Sequence, residues 1–212
     1  MAMRISRNYT VDDWKALKFK DESDWKAAVD MFVDRLETRY LEHIDAILPA
    51  KTSGFAVLSR DCALIQTMQQ FREGTQKTPK ARVEQYFVKF LTQSPFGEHF
   101  DAERARLFYL NIRCGLLHQS EAKGNSRVKR GGGRPLVTCT EDQKGVVVNV
   151  NSFHAVLKEA IQTYTTELKQ PESITARKAF RAKMNFICRV EGRVTGHRVF
   201  RKVPLPECVG DR

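Results

Sequence analysis

The chain has 212 residues, 42% of them hydrophobic and 29% charged, which suits one globular domain with a sizeable core and argues against a disordered chain. Its net charge of +11 is localised: residues 113–134 carry six lysines and arginines against one acid, residues 171–212 carry ten against four, and the remainder balances. Charge gathered in this way points to a polyanion-facing surface, nucleic acid first, more than to general solubility.

Helical periodicity dominates the first 122 residues. Thr10-x-x-Asp13 predicts a capping box opening a short helix. Asp21 or Ser23 then leads into a long helix with Trp25, Val29, Phe32, Leu36, Tyr40, Ile44 and Ile47 at spacings of three and four. Pro49 to Gly54 breaks it. A second stripe runs through Phe55, Leu58, Cys62, Ile65, Met68 and Phe71 and ends at Gly74. Thr78-Pro79 signals a third helix through Val83, Tyr86, Phe87, Phe90 and Leu91. After a turn at Ser94-Pro95-Phe96-Gly97, Asp101 starts a helix through Leu107, Phe108, Leu110, Ile112 and Leu117.

The pattern changes beyond Glu121. Lys123 to Arg134 has no large apolar residue except Val128 and reads as a mobile loop. Leu136–Thr140 and Val146–Val150 predict a β-hairpin around Asp142-Gln143-Lys144-Gly145. Ser152 is the expected cap of a last long helix, through Phe153, Val156, Leu157, Ile161, Tyr164 and Leu168. Ile174 to Ile187 reads as a basic helix, and the end of the chain as extended or loose. The expectation is an all-α, antiparallel helical bundle over residues 1–170 with a small hairpin near 136–150. Residues 171–212 would be a basic extension packed on it or trailing from it.

Few residues carry chemistry. The cysteines (Cys62, Cys114, Cys139, Cys188 and Cys208) are scattered and form no CxxC, which predicts reduced thiols with no disulfide framework and no zinc site. Met1 to Arg7 holds no apolar signal core and no later segment approaches a membrane span, so a cytoplasmic chain is expected. His43, His99, His154 and His197 stand alone, without carboxylates or cysteines at ligand spacing, and no cofactor or metal is expected. Arg113 and His118 differ. They supply a fixed cation and a group that exchanges protons near neutral pH, the two things needed to cleave a phosphodiester without a metal. Chance readily supplies such a pair in a chain this rich in arginine, so the surroundings give it weight. Asn111 and His118, seven apart, fall on one helical face with Cys114 and Gly115 between them, and a mid-helix glycine suggests close approach of a backbone or ligand. Five residues turn a helix by about 500°, leaving Arg113 and His118 roughly 140° apart, so a shared site calls for two copies across a two-fold axis.

The run Asn111-Ile112-Arg113-Cys114-Gly115-Leu116-Leu117-His118-Gln119-Ser120-Glu121 resembles the signature of the HEPN superfamily, all-helical proteins with an R-x4-6-H motif. Many are metal-independent endoribonucleases of toxin–antitoxin, abortive-infection and CRISPR-associated systems. The resemblance implies that His118 acts as general base or acid on the ribose 2′-hydroxyl or the leaving 5′-oxygen. Arg113 would hold the scissile phosphate, and Asn111 and Cys114 would support them. The products would be 2′,3′-cyclic phosphate and 5′-hydroxyl ends. In many of these nucleases the residue after the arginine is polar, whereas here it is Cys114. That difference favours a second reading, a HEPN-like RNA-binding or oligomerisation module without catalysis. A third is an unrelated helical adaptor docking an acidic protein.

The cations beside the motif, Arg127, Lys129, Arg130 and Arg134, are expected to track an RNA backbone through salt-sensitive contacts. Arg177, Lys178 and Arg181, with Lys183, fall at helical spacing and could serve RNA or an acidic partner such as an antitoxin. The implied partners are therefore RNA, a second copy of the chain and a possible antitoxin.

Overall fold

The computed structural model describes residues 3–93, 95–131 and 135–190. Helices form where the apolar spacing predicts them. Helix α1 (Val11–Ala16) opens on a capping box, in which the Thr10 side chain accepts from the Asp13 amide and the Asp13 carboxylate accepts from the Thr10 amide at 2.7 Å. Helix α2 (Glu22–Leu36) is capped by Asp21, which accepts from the Asp24 amide; Ser23 instead donates its hydroxyl to Asp21. The chain continues through a π turn at Glu37–Leu41 into α3 (Glu42–Ile47). Helix α4 (Gly54–Glu73) follows the break at Pro49, and α5 (Val83–Leu91) follows a 3-10 turn at Lys80–Arg82. Asp101 caps α6 (Ala102–Leu107), which runs through a second π turn, Phe108–Arg113, into α7 (Cys114–Gln119). Helices α8 (Val150–Lys169) and α9 (Ile174–Ile187) complete the described chain.

Between α7 and α8 lie three short strands, β1 (Arg127–Lys129), β2 (Val137–Cys139) and β3 (Val146–Asn149). β2 and β3 pair antiparallel, with Thr138 opposite Val147, while β1 adds parallel to the other edge of β3, with Val128 opposite Val148. The insertion is therefore a three-stranded sheet in the order β1-β3-β2, not a lone hairpin. Part of the stretch expected to be a mobile loop is thus ordered, for two reasons. Val128 packs on the core beside Gly54, and the Arg130 guanidinium donates to the carbonyls of Leu48 and Ala50 and to the Ser53 hydroxyl. The arginine satisfies the Leu48 carbonyl where α3 ends and adds to the Ala50 carbonyl, which also accepts from Ser53. Arg134 lies outside the described residues. The cap of α8 also differs from expectation. Asn149, the last residue of β3, accepts from the Asn151 and Ser152 amides, so the strand passes into the helix without a loop and Ser152 lies inside the first turn.

Helix α4 is buried around most of its circumference. Val57, Leu58, Cys62, Leu64, Ile65, Met68 and Phe71 are all in the core, and α5, α8 and α9 pack about it. Two aromatic clusters fill the spaces between helices. Phe32, Phe71 and Phe180 meet with centroids 4.5–5.8 Å apart. Phe96, Phe100 and Phe108 surround Phe153, against which Phe108 stacks at 4.9 Å. α4 ends at Gly74 in the left-handed region (φ +65°), where an added Cβ would lie 2.9 Å from the Ala179 Cα of α9. Both the dihedral and the close approach call for glycine.

The core does not stop at residue 170. Phe180, Met184 and Cys188 are buried with it, so α9 is an integral layer of the same domain; residues 191–212 lie outside the described residues. Arg177 shows why α9 is fixed. It is 5% exposed, donates to both oxygens of Glu22 (2.8 and 2.6 Å) and to the carbonyls of Leu168 and Lys169, and lies over Trp25. Its expected role in RNA binding gives way to a structural one, joining α2, the end of α8 and α9. Arg177→Ala leaves a buried carbonyl unpaired and should lower unfolding free energy by about 2–4 kcal/mol in urea denaturation. A cation used for RNA alone would leave the midpoint unchanged.

Candidate active site

The motif-bearing helix is anchored by three residues of its π turn. Phe108 and Ile112 are buried, and Tyr109 packs on Phe87 of α5 with centroids 5.5 Å apart. A π turn accommodates one extra residue and occurs often at functional positions. Here it ends on Arg113. The arginine is half-buried, with its guanidinium 5.8 Å from the centre of Phe87 and 5.6 Å from that of Tyr109. Nη2 donates to Gln66 Oε1 of α4 at 3.4 Å, Nη1 lies 3.9 Å from Cys114 Sγ, and the buried Nε has no partner among the described residues. Two aromatic faces and one amide thus fix the plane of a cation that retains donor capacity. Burial and the adjacent Cys114 thiol push the Tyr109 hydroxyl above its usual range, so this phenol stays protonated at neutral pH. Buried Cys62 is likewise pushed up, which makes it a packing residue and not a nucleophile.

His118 occupies the last turn of α7, exposed and without a hydrogen-bond partner among the described residues. Arg113 turns toward α4 and α5, and no hydrogen bond links the two motif residues among those described. Two further apolar side chains of this helix remain outside the core, Leu110 at 37% and Leu117 at 46% exposure.

Gly115 and Asn111 have intramolecular explanations. After α7 the chain reverses at Ser120, in the left-handed region at φ +54°, and runs back over the helix. A Cβ on Gly115 would lie 2.3 Å from the Glu121 carbonyl oxygen, so the glycine admits the chain's own return and not a ligand or partner helix. Asn111 Nδ2 donates to the Lys144 carbonyl at 2.9 Å, while its main-chain carbonyl accepts from the Lys123 amide at 3.0 Å. Its amide therefore bolts the β2–β3 turn to the motif helix and is not directed toward a substrate. No hydrogen bond joins Asn111 to His118 among the described residues.

The cations divide in the same way. Arg127 is exposed and Lys129 half-exposed on β1, where they line a cleft of about 420 Å3 with Asn125, Thr140, Glu141 and Asp142. Arg130 and Arg177 are committed to the fold, whereas Lys178 and Arg181 are exposed on α9.

One constellation has no sequence signal. His154, which stands alone in the sequence, is 1% exposed, and its Nδ1 lies 2.9 Å from Oδ1 of fully buried Asp61. Its Nε2 lies 3.3 Å from Asp45 but out of line for a hydrogen bond, and Lys158 holds Asp45 at 3.0 Å. The partners are 93 and 113 residues apart in sequence, so no local spacing could reveal them. The two carboxylates face opposite ring nitrogens, which is not a metal-ligand arrangement; no metal-holding cluster occurs among the described residues. Comparison with protein-family models, curated proteins and solved structures finds no match.

Burial pushes the Asp61 carboxyl above the usual carboxylate range, against the opposing hydrogen bond and charge of His154. A raised carboxyl favours the protonated form in the fold, so its contribution is complete below the unfolded pKa and is lost as pH rises through the folded value. His154→Ala removes the opposing group. Its loss in unfolding free energy should reach about 3–5 kcal/mol near neutrality and shrink toward pH 4, with Asp61→Asn restoring much of it. Urea melts of the single and double variants across pH test this; a deficit independent of pH would show simple cavity formation.

Proposed function

We propose that this chain is a metal-independent endoribonuclease of the HEPN type, active as a dimer through Arg113 and His118. The observation that carries the reading is the contrast between the two motif residues. Arg113 is pre-set as a plane by Phe87, Tyr109 and Gln66, while His118 stays exposed and without a partner among the described residues, next to Leu117 and eight residues from Leu110. A fixed cation and an accessible proton carrier on a helix with uncovered leucines suit a cleft formed between two motif helices. In that cleft His118 of one copy takes the 2′-hydroxyl proton or protonates the leaving 5′-oxygen. Arg113 of the other copy stabilises the charge gathering on the phosphate. Arg127 and Lys129, on the strand that follows, add two cations for the RNA backbone in a cleft that also holds Glu141 and Asp142. A defence or growth-arresting toxin role, with an antitoxin as inhibitor, is the biological setting that the HEPN resemblance implies.

The test is cleavage of total RNA in excess EDTA, with end-group analysis for 2′,3′-cyclic phosphate. His118→Ala should slow cleavage by about 10²–10⁴-fold without changing the melting temperature. Arg113→Ala should also abolish it, and mixing the two inactive variants should restore about a quarter of wild-type activity through heterodimers with one intact site. Cleavage by His118→Ala at the wild-type rate would end the assignment.

The second reading, an RNA-binding or oligomerisation module without catalysis, draws support from the engagement of Arg113 with Gln66, Phe87 and Cys114, which a packing role also explains. RNA retention without cleavage at high protein concentration would favour it. Both readings predict that Leu110→Lys with Leu117→Lys converts a dimer to a monomer by light scattering; only the nuclease reading predicts loss of cleavage with it.

A further inference from the structure

We infer that the groove along α9 is a binding site for single-stranded RNA, in which a base stacks against Trp25 while Lys178 and Arg181 hold the adjoining phosphates. The site is separate from the motif-bearing helix, and the inference does not depend on whether Arg113 and His118 cut RNA.

The groove encloses about 460 Å3, enough for a nucleotide, and its wall combines an aromatic ring, an exposed aliphatic residue and hydrogen-bond donors. No carboxylate among the described residues lines it. Trp25 is held from two directions, by Phe19 edge-on at 4.8 Å and by the Arg177 guanidinium at 4.7 Å, and it remains half-exposed. Glu22 neutralises Arg177, so that arginine supports the ring and does not itself supply net charge. Arg181 and Lys178 do supply it. Both are exposed and form no ion pair among the described residues, and Arg181 is oriented by lying 4.3 Å over Phe19. Ile174, at 73% exposure, offers an apolar edge beside them. Asn185 accepts from Trp14 Nε1 through its Oδ1 at 2.9 Å, which fixes its amide and leaves the Nδ2 hydrogens to donate.

This composition selects a ligand class. A purely anionic ligand has no use for Trp25 and Ile174, and a purely apolar one leaves two cations without a partner. A strand of RNA joins flat apolar bases to phosphates at regular intervals, and stacking on an aromatic side chain beside cations is how sequence-tolerant single-strand binding works.

The experiment uses the full chain carrying His118→Ala, so that the probe stays intact, with fluorescein-labelled hexa-adenylate followed by anisotropy and tryptophan fluorescence. Of the two tryptophans, Trp14 is buried and Trp25 is half-exposed, so binding should quench the Trp25 emission. Lys178→Glu with Arg181→Glu changes two surface residues and should weaken binding by at least about 10-fold. It should also make the plot of log K against log salt shallower by about 1.4, at roughly 0.7 per phosphate contact. Trp25→Leu should weaken binding by about 10-fold and abolish the quenching. If that variant is misfolded, quenching in the parent and the charge variant still decide the matter.

Unchanged affinity and salt slope in the charge variant would overturn the inference, as would binding without tryptophan quenching. So would adenosine monophosphate binding as tightly as the hexamer, which would mark a free-nucleotide site. An acidic, aromatic-bearing peptide that binds where the hexamer does not would make the groove a protein-docking surface. Failure of the nuclease reading is separately visible, as RNA binding at this groove in a wild-type chain that cuts nothing.

Discussion

Burying α4 on nearly every side is the constraint from which most of the other arrangements follow. A helix in that position sends only a narrow stripe of side chains, Arg60 among them, to water, and several of its polar residues face inward. Asp61 must meet His154, Gln66 receives a hydrogen bond from Arg113, and the buried Gln69 donates to Glu73 on the next turn of the same helix. The first two solutions each consume a neighbouring helix's side chain or fix its orientation. The pairing of Asp61 with His154 therefore sets where α8 begins against α4, and β3 must deliver the chain there without slack, which the Asn149 cap achieves. Unpaired, the buried Asp61 carboxylate would cost several kcal/mol. The same burial requires Gly74, because α9 must close over the end of α4.

The candidate catalytic helix inherits its geometry from this arrangement. Gln66 projects from the central helix to the Arg113 guanidinium, while Phe87 and Tyr109 bracket it, so the cation's plane is a property of the core and not of a loop. His118 lies beyond the last anchored residue of that helix and is free of such constraint. The division matches what phosphoryl chemistry asks of the two side chains: one to be pre-organised against a charge, the other to be accessible to a proton.

The positive charge, so prominent in the sequence, serves two purposes that sequence alone does not separate. Arg130 and Arg177 close open carbonyls at helix ends, and Arg177 also clamps Glu22, work for which the five-donor guanidinium is suited. Lys178, Arg181, Arg127 and Lys129 make few bonds within the fold and face outward. Cations on one helix, one turn apart, can thus have opposite fates. The decisive variable is whether a neighbouring element presents unsatisfied carbonyls at that height, as α8 does to Arg177.

Much of the fold was legible locally, because caps and apolar periodicity act within a few residues. The Thr10–Asp13 box, the Asp101 start, the Gly74 stop and the stripes of α2, α4 and α8 follow from spacing alone. The pairing of β2 with β3 was also readable from their two apolar runs around Asp142-Gln143-Lys144-Gly145. What the sequence left undetermined is long-range. β1 is a strand because Val128 and Arg130 find α4 and the end of α3, and the π turn that ends on Arg113, with Phe108 and Ile112 in the core, has no marker in the local spacing. Gly115 and Asn111 were marked by their chemistry as special, yet their partners, Glu121 and Lys144, emerge only when the chain folds back on itself. Sequence by itself determined the helical class and marked Arg113 and His118 as residues able to do chemistry. Tertiary structure decided which charges are spent on the fold and which stay available, because that depends on the contacts made by residues tens of positions apart.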